Sequence, residues 1–297
     1  MPRRRWTLWS ALAGLIATGF GPVPVAARVL RDLAAPSSAL GQPIPYAVAL
    51  PDAYDSEPTR RFPVLLLLHG TDGSHHDWLD WGGLAESIAD STASGHLPFI
   101  VVTPGAGNSW YVDNPAGEGA WETAVIEDLL PAIDARFRTI PARAGHAIAG
   151  LSMGGYGAVH LALRHPDRFA AVASLSGALF APDDPVSDDD IADFHGAFGS
   201  PFDSERYTQA SVYTDLAVLP PDAMLPRFYL SSGGRDQYGL DLAALRLYQE
   251  LKRRDVPATV VLRAGYDHGW LFWHDDLGAV LDFVSDALTA EGASTSQ

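Results

Sequence analysis

The chain has 297 residues, 47% of them hydrophobic, and no cysteine, so neither disulfides nor thiolate metal sites are open to it. Asp and Glu number 36 against 20 Lys and Arg, a balance that disfavours nucleic acid and anionic membranes as partners. Arg3, Arg4 and Arg5, the apolar run from Trp6 to Phe20 and the small residues Val25-Ala26-Ala27 predict an export signal over residues 1–27. The run is shorter than the roughly 20 apolar residues of a spanning helix. The expectation is a secreted or periplasmic protein with no stable membrane insertion after cleavage, by a Sec or a twin-arginine route. Removing the signal makes the formal charge three units more negative than −16, since residues 1–27 hold no acidic residue. Residues 28–297 suffice for one α/β domain with a sizeable core.

In chain order, Tyr46 to Leu50 alternates and ends at Pro51, which predicts a strand. Pro63 to Leu68 is a continuous apolar run, as in a strand buried on both faces of a mostly parallel sheet, and His69-Gly70-Thr71-Asp72-Gly73 breaks it. Phe99 to Val102 predicts a second buried strand. Apolar spacing over Trp121 to Arg136 predicts a helix with Ile126, Leu129, Leu130 and Ile133 inward. A strand at His146 to Ala149, a helix at Met153 to Arg164 and a strand at Ala170 to Leu175 follow. Residues 181–225, rich in Asp, Pro and Gly, read as an insertion of loops and short helices. Asp188-Asp189-Asp190 after Ser187 reads as a helix start rather than a calcium site. Beyond lie a strand at Arg227 to Ser231, a helix at Leu240 to Arg253, a strand at Ala258 to Leu262, a closing helix at Asp276 to Leu288 and a frayed tail over 290–297. Strands alternating with helices predict an α/β fold, a three-layer sandwich around a mostly parallel sheet.

Gly150-Leu151-Ser152-Met153-Gly154 falls where the strand at 146–149 gives way to the helix at 153–164. A sharp strand–turn–helix junction holds a serine clear of the sheet, where a base can reach it, and aims helix amides at a developing oxyanion. The base and its orienting acid are sought downstream, in the order acid then histidine. Asp236 in Gly233-Gly234-Arg235-Asp236 and His268 in Gly265-Tyr266-Asp267-His268-Gly269 each follow a predicted strand. Both therefore belong at the same sheet edge as Ser152. Asp267 is the rival acid, although it adjoins His268, and Asp241 is a weaker one inside a helix. Asp236 also has a plain structural reading as a cap for the helix near Leu240. The backbone amides of Met153 and Thr71 are the candidate oxyanion donors. Trp110 and Tyr111 are candidates to line the substrate pocket, or else pack a surface loop. His75-His76-Asp77 is not expected to hold a metal, because adjacent side chains diverge and no further ligand set stands out.

Several stretches together resemble the esterase D-like α/β-hydrolases, a family that includes mycolyltransferase-type acyltransferases. They are Tyr46 to Tyr54, Pro63 to Gly70, His75-His76-Asp77-Trp78, Asn108 to Asp113, Trp121-Glu122-Thr123, Gly150 to Ala158 and His268 to Trp273. The resemblance runs from about Leu40 to Phe283 and implies an α/β-hydrolase fold with a Ser152–Asp236–His268 triad. It implies no obligatory metal or organic cofactor, and a small-molecule or carbohydrate-linked ester as substrate. The expected activity is that of an exported serine carboxylic-ester hydrolase working through an acyl-enzyme. Transfer of the acyl group to a sugar or lipid alcohol is the alternative, and a non-catalytic binding module is the second. The family is broad, so acyl chain length, alcohol and oligomeric state stay open.

Overall fold

The computed structural model describes residues 27–114 and 119–292; the predicted export signal, Ala27 excepted, and tail residues 293–297 lie outside them. Eight strands form one sheet: β1 (Arg28–Ala35), β2 (Ile44–Leu50), β3 (Val64–Leu68), β4 (Ile100–Pro104), β5 (His146–Leu151), β6 (Ala171–Leu175), β7 (Arg227–Gly233) and β8 (Ala258–Arg263). Their spatial order is β1-β2-β4-β3-β5-β6-β7-β8. β1 and β2 pair antiparallel, β2 meets β4 antiparallel, and every later pairing is parallel. All five residues of β3 are buried, as a strand sandwiched between two helical layers must be.

The period of two in a strand divides β3 between two cores. Leu66 and Leu68 face a core that includes Ile126, Leu129 and Ile133, with Val159 and Leu163 of α3 (Met153–Arg164) and Leu247 and Leu251 of α4 (Leu240–Arg253). Leu65 and Leu67 face the other, with Leu84 and Ile88 of α1 (Leu84–Ala93) and Leu277, Leu281 and Leu288 of α5 (Trp270–Ala290). Each fully buried leucine of this kind contributes roughly 1.5–3 kcal/mol relative to exposure. The result is the expected three-layer α/β sandwich.

Several elements depart from the sequence reading. β1 was not expected, because its pattern of charged and apolar residues does not alternate; it pairs only at the sheet edge and carries a bulge between Leu30 and Leu33. α1 was not expected either. The helix at 121–136, α2, is widened over Ala124–Leu129, where the Leu130 amide donates to the carbonyl of Val125, five residues back. Pro131 then follows without an amide to donate, so the wider turn adjoins a position where the ordinary ladder must break. α5 begins at Trp270, six residues before the expected start at Asp276. Asp276 does not cap it: fully buried, its carboxylate accepts from Arg263 Nε at 2.6 Å and from the Tyr229 hydroxyl at 3.3 Å.

The insertion over 181–225 folds into short helices at Asp188–Asp193, Ser204–Gln209 and Val212–Val218, each capped by the side chain before it: Ser187, Asp203 and Ser211. Ser187 and Asp190 form a reciprocal capping box, so the acidic run is a helix start, as expected. A buried ionic network fastens the insertion to α3. His160 Nδ1 lies 2.6 Å from Asp215 Oδ2, and Glu122 Oε1 accepts from Arg164 Nε at 2.7 Å and lies 2.8 Å from His165 Nε2. Tyr156, one turn before His160, stacks on it at 5.4 Å and on Phe180 at 5.1 Å.

Burial by itself would raise the Glu122 carboxyl, but hydrogen bonds from His160, His165 and Arg164 outweigh it and hold the group well below the usual carboxylate range. Burial likewise disfavours charge on His160, but Asp215 and Glu122 outweigh it and raise that ring. A depressed carboxylate stabilises the fold above its unfolded value, about 4.3, and loses that contribution as pH falls through the folded value. A raised imidazole stabilises below its unfolded value, about 6.5, and loses the contribution as pH climbs through the folded value. The network should therefore contribute most between about pH 4.3 and 6.5. Glu122→Gln should cost about 3 kcal/mol in that window, and the Tm gap from the unsubstituted protein should narrow on both sides of it. A gap that does not vary with pH would refute the assignment.

Candidate active site

β5 delivers Ser152 at its C-terminal end, and α3 starts at the next residue. The turn requires φ of 52° and ψ of −118° at Ser152, a region that costs a non-glycine residue of order 1–3 kcal/mol. Its amide donates to the Leu175 carbonyl at 3.0 Å and its carbonyl accepts from the Ala178 amide at 3.2 Å, so neighbouring β6 and the loop beyond it hold the strained residue. Glycines make the crossing possible. A Cβ at Gly154 would lie 2.4 Å from the His69 carbonyl oxygen, and one at Gly150 would lie 2.3 Å from the Gly154 carbonyl oxygen.

Three side chains from three strand ends meet there. Ser152 Oγ lies 3.0 Å from His268 Nε2, and His268 Nδ1 lies 2.9 Å from Asp236 Oδ2. The Asp236 carboxylate is fully shielded from solvent and the His268 side chain is 11% exposed. Asp236 also accepts from the Tyr238 amide at 3.0 Å and the Ser232 hydroxyl at 3.4 Å. Burial by itself would raise this carboxyl, but the hydrogen bond and charge of His268, then the Tyr238 amide, outweigh it and the group is held below its ordinary range. The His268 amide donates to Gln237 Oε1 at 3.1 Å, and its ring meets Tyr238 and Trp273 edge-on at 5.0 Å each. Asp267 is exposed and Asp241 lies in the first turn of α4; the contact to Nδ1 belongs to Asp236. The helix cap after it is Gly239, not Asp236.

One candidate oxyanion donor follows the serine in the chain and the other belongs to the loop after β3. Met153 is the first residue of α3, where an amide has no intrahelical acceptor. Thr71 lines the same cleft as Ser152, and the preceding Gly70 lies so near that a Cβ there would be 3.3 Å from Ser152 Cβ. His69, whose role the sequence did not reveal, fixes this loop. Its Nε2 accepts from the Ala106 amide at 2.9 Å, so Nδ1 carries the proton and donates to the Gly70 carbonyl at 2.7 Å. Burial pushes the His69 ring down, which favours that neutral form.

The two candidate pocket residues separate. Trp110 lines the cleft, with its Nε1 donating to the Asp193 carbonyl at 3.2 Å. Tyr111 does not reach it: the side chain is completely buried, its hydroxyl donates to the His69 carbonyl at 3.1 Å, and its ring packs against Gly157. It supports the loop from behind, so its expected place in the pocket is corrected. The whole cleft, about 530 Å³, draws one wall from the insertion and the residue just before it: Phe180, Phe194 and Tyr207 beside Trp110, with Asp184, Asp190 and Asp193 also in its lining. The sequence signal for this wall was the aromatic spacing of Phe194, Phe198, Phe202 and Tyr207 within an otherwise polar stretch.

His75 and His76 also depart from expectation. Their rings do not diverge but face each other with centroids 3.9 Å apart. The carboxylate that meets both rings is Asp32 of β1 rather than Asp77, whose Oδ1 accepts from Ser74 Oγ at 2.8 Å.

Residues 37–277 match the Esterase family, described as "Putative esterase". An esterase of Mycobacterium tuberculosis is 40% identical over 145 residues, which are 48% of this chain and 30% of that protein. The chain thus matches under a third of the length of the first curated relatives. The MPT51/MPB51 antigen of the same organism is 29% identical over 218 residues, 65% of this chain and 64% of that one. Among solved structures, a ferulic acid esterase superposes with a TM-score of 0.75 at 29% identity, covering 89% of this chain and 99% of its own. The chain belongs to the Esterase family and has its α/β-hydrolase fold.

Proposed function

We propose that this protein is an exported serine carboxylic-ester hydrolase acting through an acyl-enzyme, with residues 28–297 as one catalytic unit behind a leader over 1–27. The observation that carries the reading is the chain of contacts from Ser152 Oγ through His268 to Asp236, opening onto the cleft. His268 Nε2 takes the serine proton as Oγ attacks the ester carbonyl, and the Met153 and Thr71 amides hold the tetrahedral oxyanion. Asp236 keeps the Nδ1 proton in place and stabilises the imidazolium. His268 then protonates the departing alcohol, and a water activated by the same ring releases the acid. The export part of the reading rests on the sequence of residues 3–27; no helix among the described residues is long and apolar enough to cross a membrane.

The aromatic wall suits an apolar or aromatic acyl group, while carboxylates at the rim oppose an anionic ester. The ferulic acid esterase among the structural neighbours agrees with that preference. A hydrolysis series over chromogenic esters of rising chain length, with feruloyl and acetyl-sugar esters beside them, tests it. Adding sugar or lipid alcohols to the same assay measures how the acyl-enzyme partitions between water and acceptor. Dominant transfer to the alcohol would replace hydrolysis with acyl transfer as the activity.

Ser152→Ala should keep the fold by circular dichroism and lower kcat/KM by roughly 10⁴–10⁶. Full activity in that variant would place the nucleophile elsewhere. Asp236→Asn should cost on the order of 10⁴ in turnover by favouring the wrong ring tautomer, and Asp267→Asn less than about tenfold. The reverse order would exchange the two acids.

Activity should fall on acidification, because a protonated imidazole cannot accept the serine proton. With its carboxyl held below the ordinary range, Asp236 stays ionised as that loss begins. The fall in kcat/KM between pH 8 and 4 should therefore follow a single proton at its upper end. A rate that is flat across this range, with chemistry limiting, would rule out a histidine base.

A further inference from the structure

The geometry points to a divalent transition-metal site of the zinc type formed by Asp32, His75 and His76, tying the edge strand β1 to the loop that carries Thr71. His75 Nε2 and His76 Nε2 approach one oxygen, Asp32 Oδ1, at 3.5 and 2.9 Å. The three ligand atoms all lie within 4.8 Å of one another. A tetrahedral ion with bonds of about 2.1 Å holds its ligand atoms about 3.4 Å apart, so a cation fits between them with little movement. The fourth position would face solvent, since the Asp32 side chain is 74% exposed.

Three features indicate that this is more than a chance meeting of surface groups. His75 Nε2 is shielded from solvent yet makes no hydrogen bond among the described residues, a deficit that a metal bond would fill. Asp32 sits within the β1 bulge at φ of 54°; bulges re-aim side chains, and here the aim is toward the two imidazoles. The histidine backbone is also fixed beforehand. The Thr103 hydroxyl donates to the His75 carbonyl at 2.7 Å, and the His76 amide donates to Ser74 Oγ at 3.2 Å. The neighbouring cation Arg31 makes its ion pair with Asp80, at 2.6 Å, while Asp32 makes its close contacts with the imidazoles. Two imidazoles and one carboxylate favour zinc, nickel, cobalt or copper over calcium and magnesium, which prefer oxygen ligands. The bound ion would act as a structural clamp on residues 69–77 and take no part in the ester chemistry.

The test uses the full chain after EDTA treatment and dialysis, with Co²⁺ as the optical probe and Zn²⁺ by calorimetry. One equivalent of Co²⁺ should give a saturable visible absorption band that Zn²⁺ abolishes. Zn²⁺ at about one hundred times Kd should raise Tm by about 5 °C. Asp32→Asn and His76→Ala change exposed or half-buried side chains, so both should keep their circular dichroism and their ester hydrolysis. Each should lose at least about 100-fold in metal affinity. A Co²⁺ band that never saturates near one equivalent, or binding of equal strength in either variant, would overturn the site.

Discussion

The backbone of Ser152 is the constraint around which the rest is arranged. A chain leaving a parallel strand must turn into a helix within one residue, and Ser152 does so at φ of 52°. That strain persists only because its surroundings allow no relaxation. The Leu175 and Ala178 backbone bonds hold it from one side. From the other, close packing of Gly154 on the end of β3 leaves no room for even a methyl group. The sheet order then puts the loops after β7 and β8 beyond β6, on the side of β5 from which Asp236 and His268 reach back to the serine.

Support for this junction comes from residues that do not line the cleft. His69 sits at the end of β3 with its proton confined to Nδ1, and Tyr111 braces the same loop through the His69 carbonyl. Trp78 adds a third brace, its Nε1 donating to the Leu68 carbonyl at 3.0 Å. Beneath α3, the ion pairs among Glu122, His160, Arg164 and Asp215 join the elbow helix to the insertion that supplies the aromatic wall of the cleft. A buried pair of this kind is weak evidence of net stability, because desolvation offsets much of the attraction. Its consequence here is positional: Tyr156 stacks between His160 and Phe180, so the ionic network and the pocket wall share one side chain.

Acidity is distributed with some economy. Of the carboxylates near the cleft, Asp184 accepts from the Ala181 amide and pairs with Arg246, and Asp190 completes the capping box with Ser187. Asp190 thus serves the insertion as part of a helix cap and Asp184 as the fastening of a turn, while both line the cleft. The sheet edge at β1 concentrates its own charges, with Arg31 on Asp80 and Asp32 on two histidines.

Local chemistry was enough to read the buried strands, because a strand covered on both faces must be apolar throughout, and Val64 to Leu68 has no other explanation. The same holds for the elbow: only a strand–glycine–serine–glycine–helix junction accounts for residues 146–158, and the order of Asp236 and His268 behind it followed from strand ends. Edge and surface elements were illegible for the opposite reason. β1 and α1 bury only one side or less, so their sequences carry weak periodicity, and β1 exists because β2 offers it hydrogen bonds. Contacts between residues distant in sequence were decided by the tertiary structure alone. Asp236 rather than Asp267 meets His268 because β7 and β8 lie side by side; Tyr111 turns inward because Gly157 leaves a space for its ring. His75 and His76 converge because a bulge some forty residues earlier presents Asp32 to both. Residue types and spacing fix which groups are available to react, but only the packed sheet fixes which of them touch.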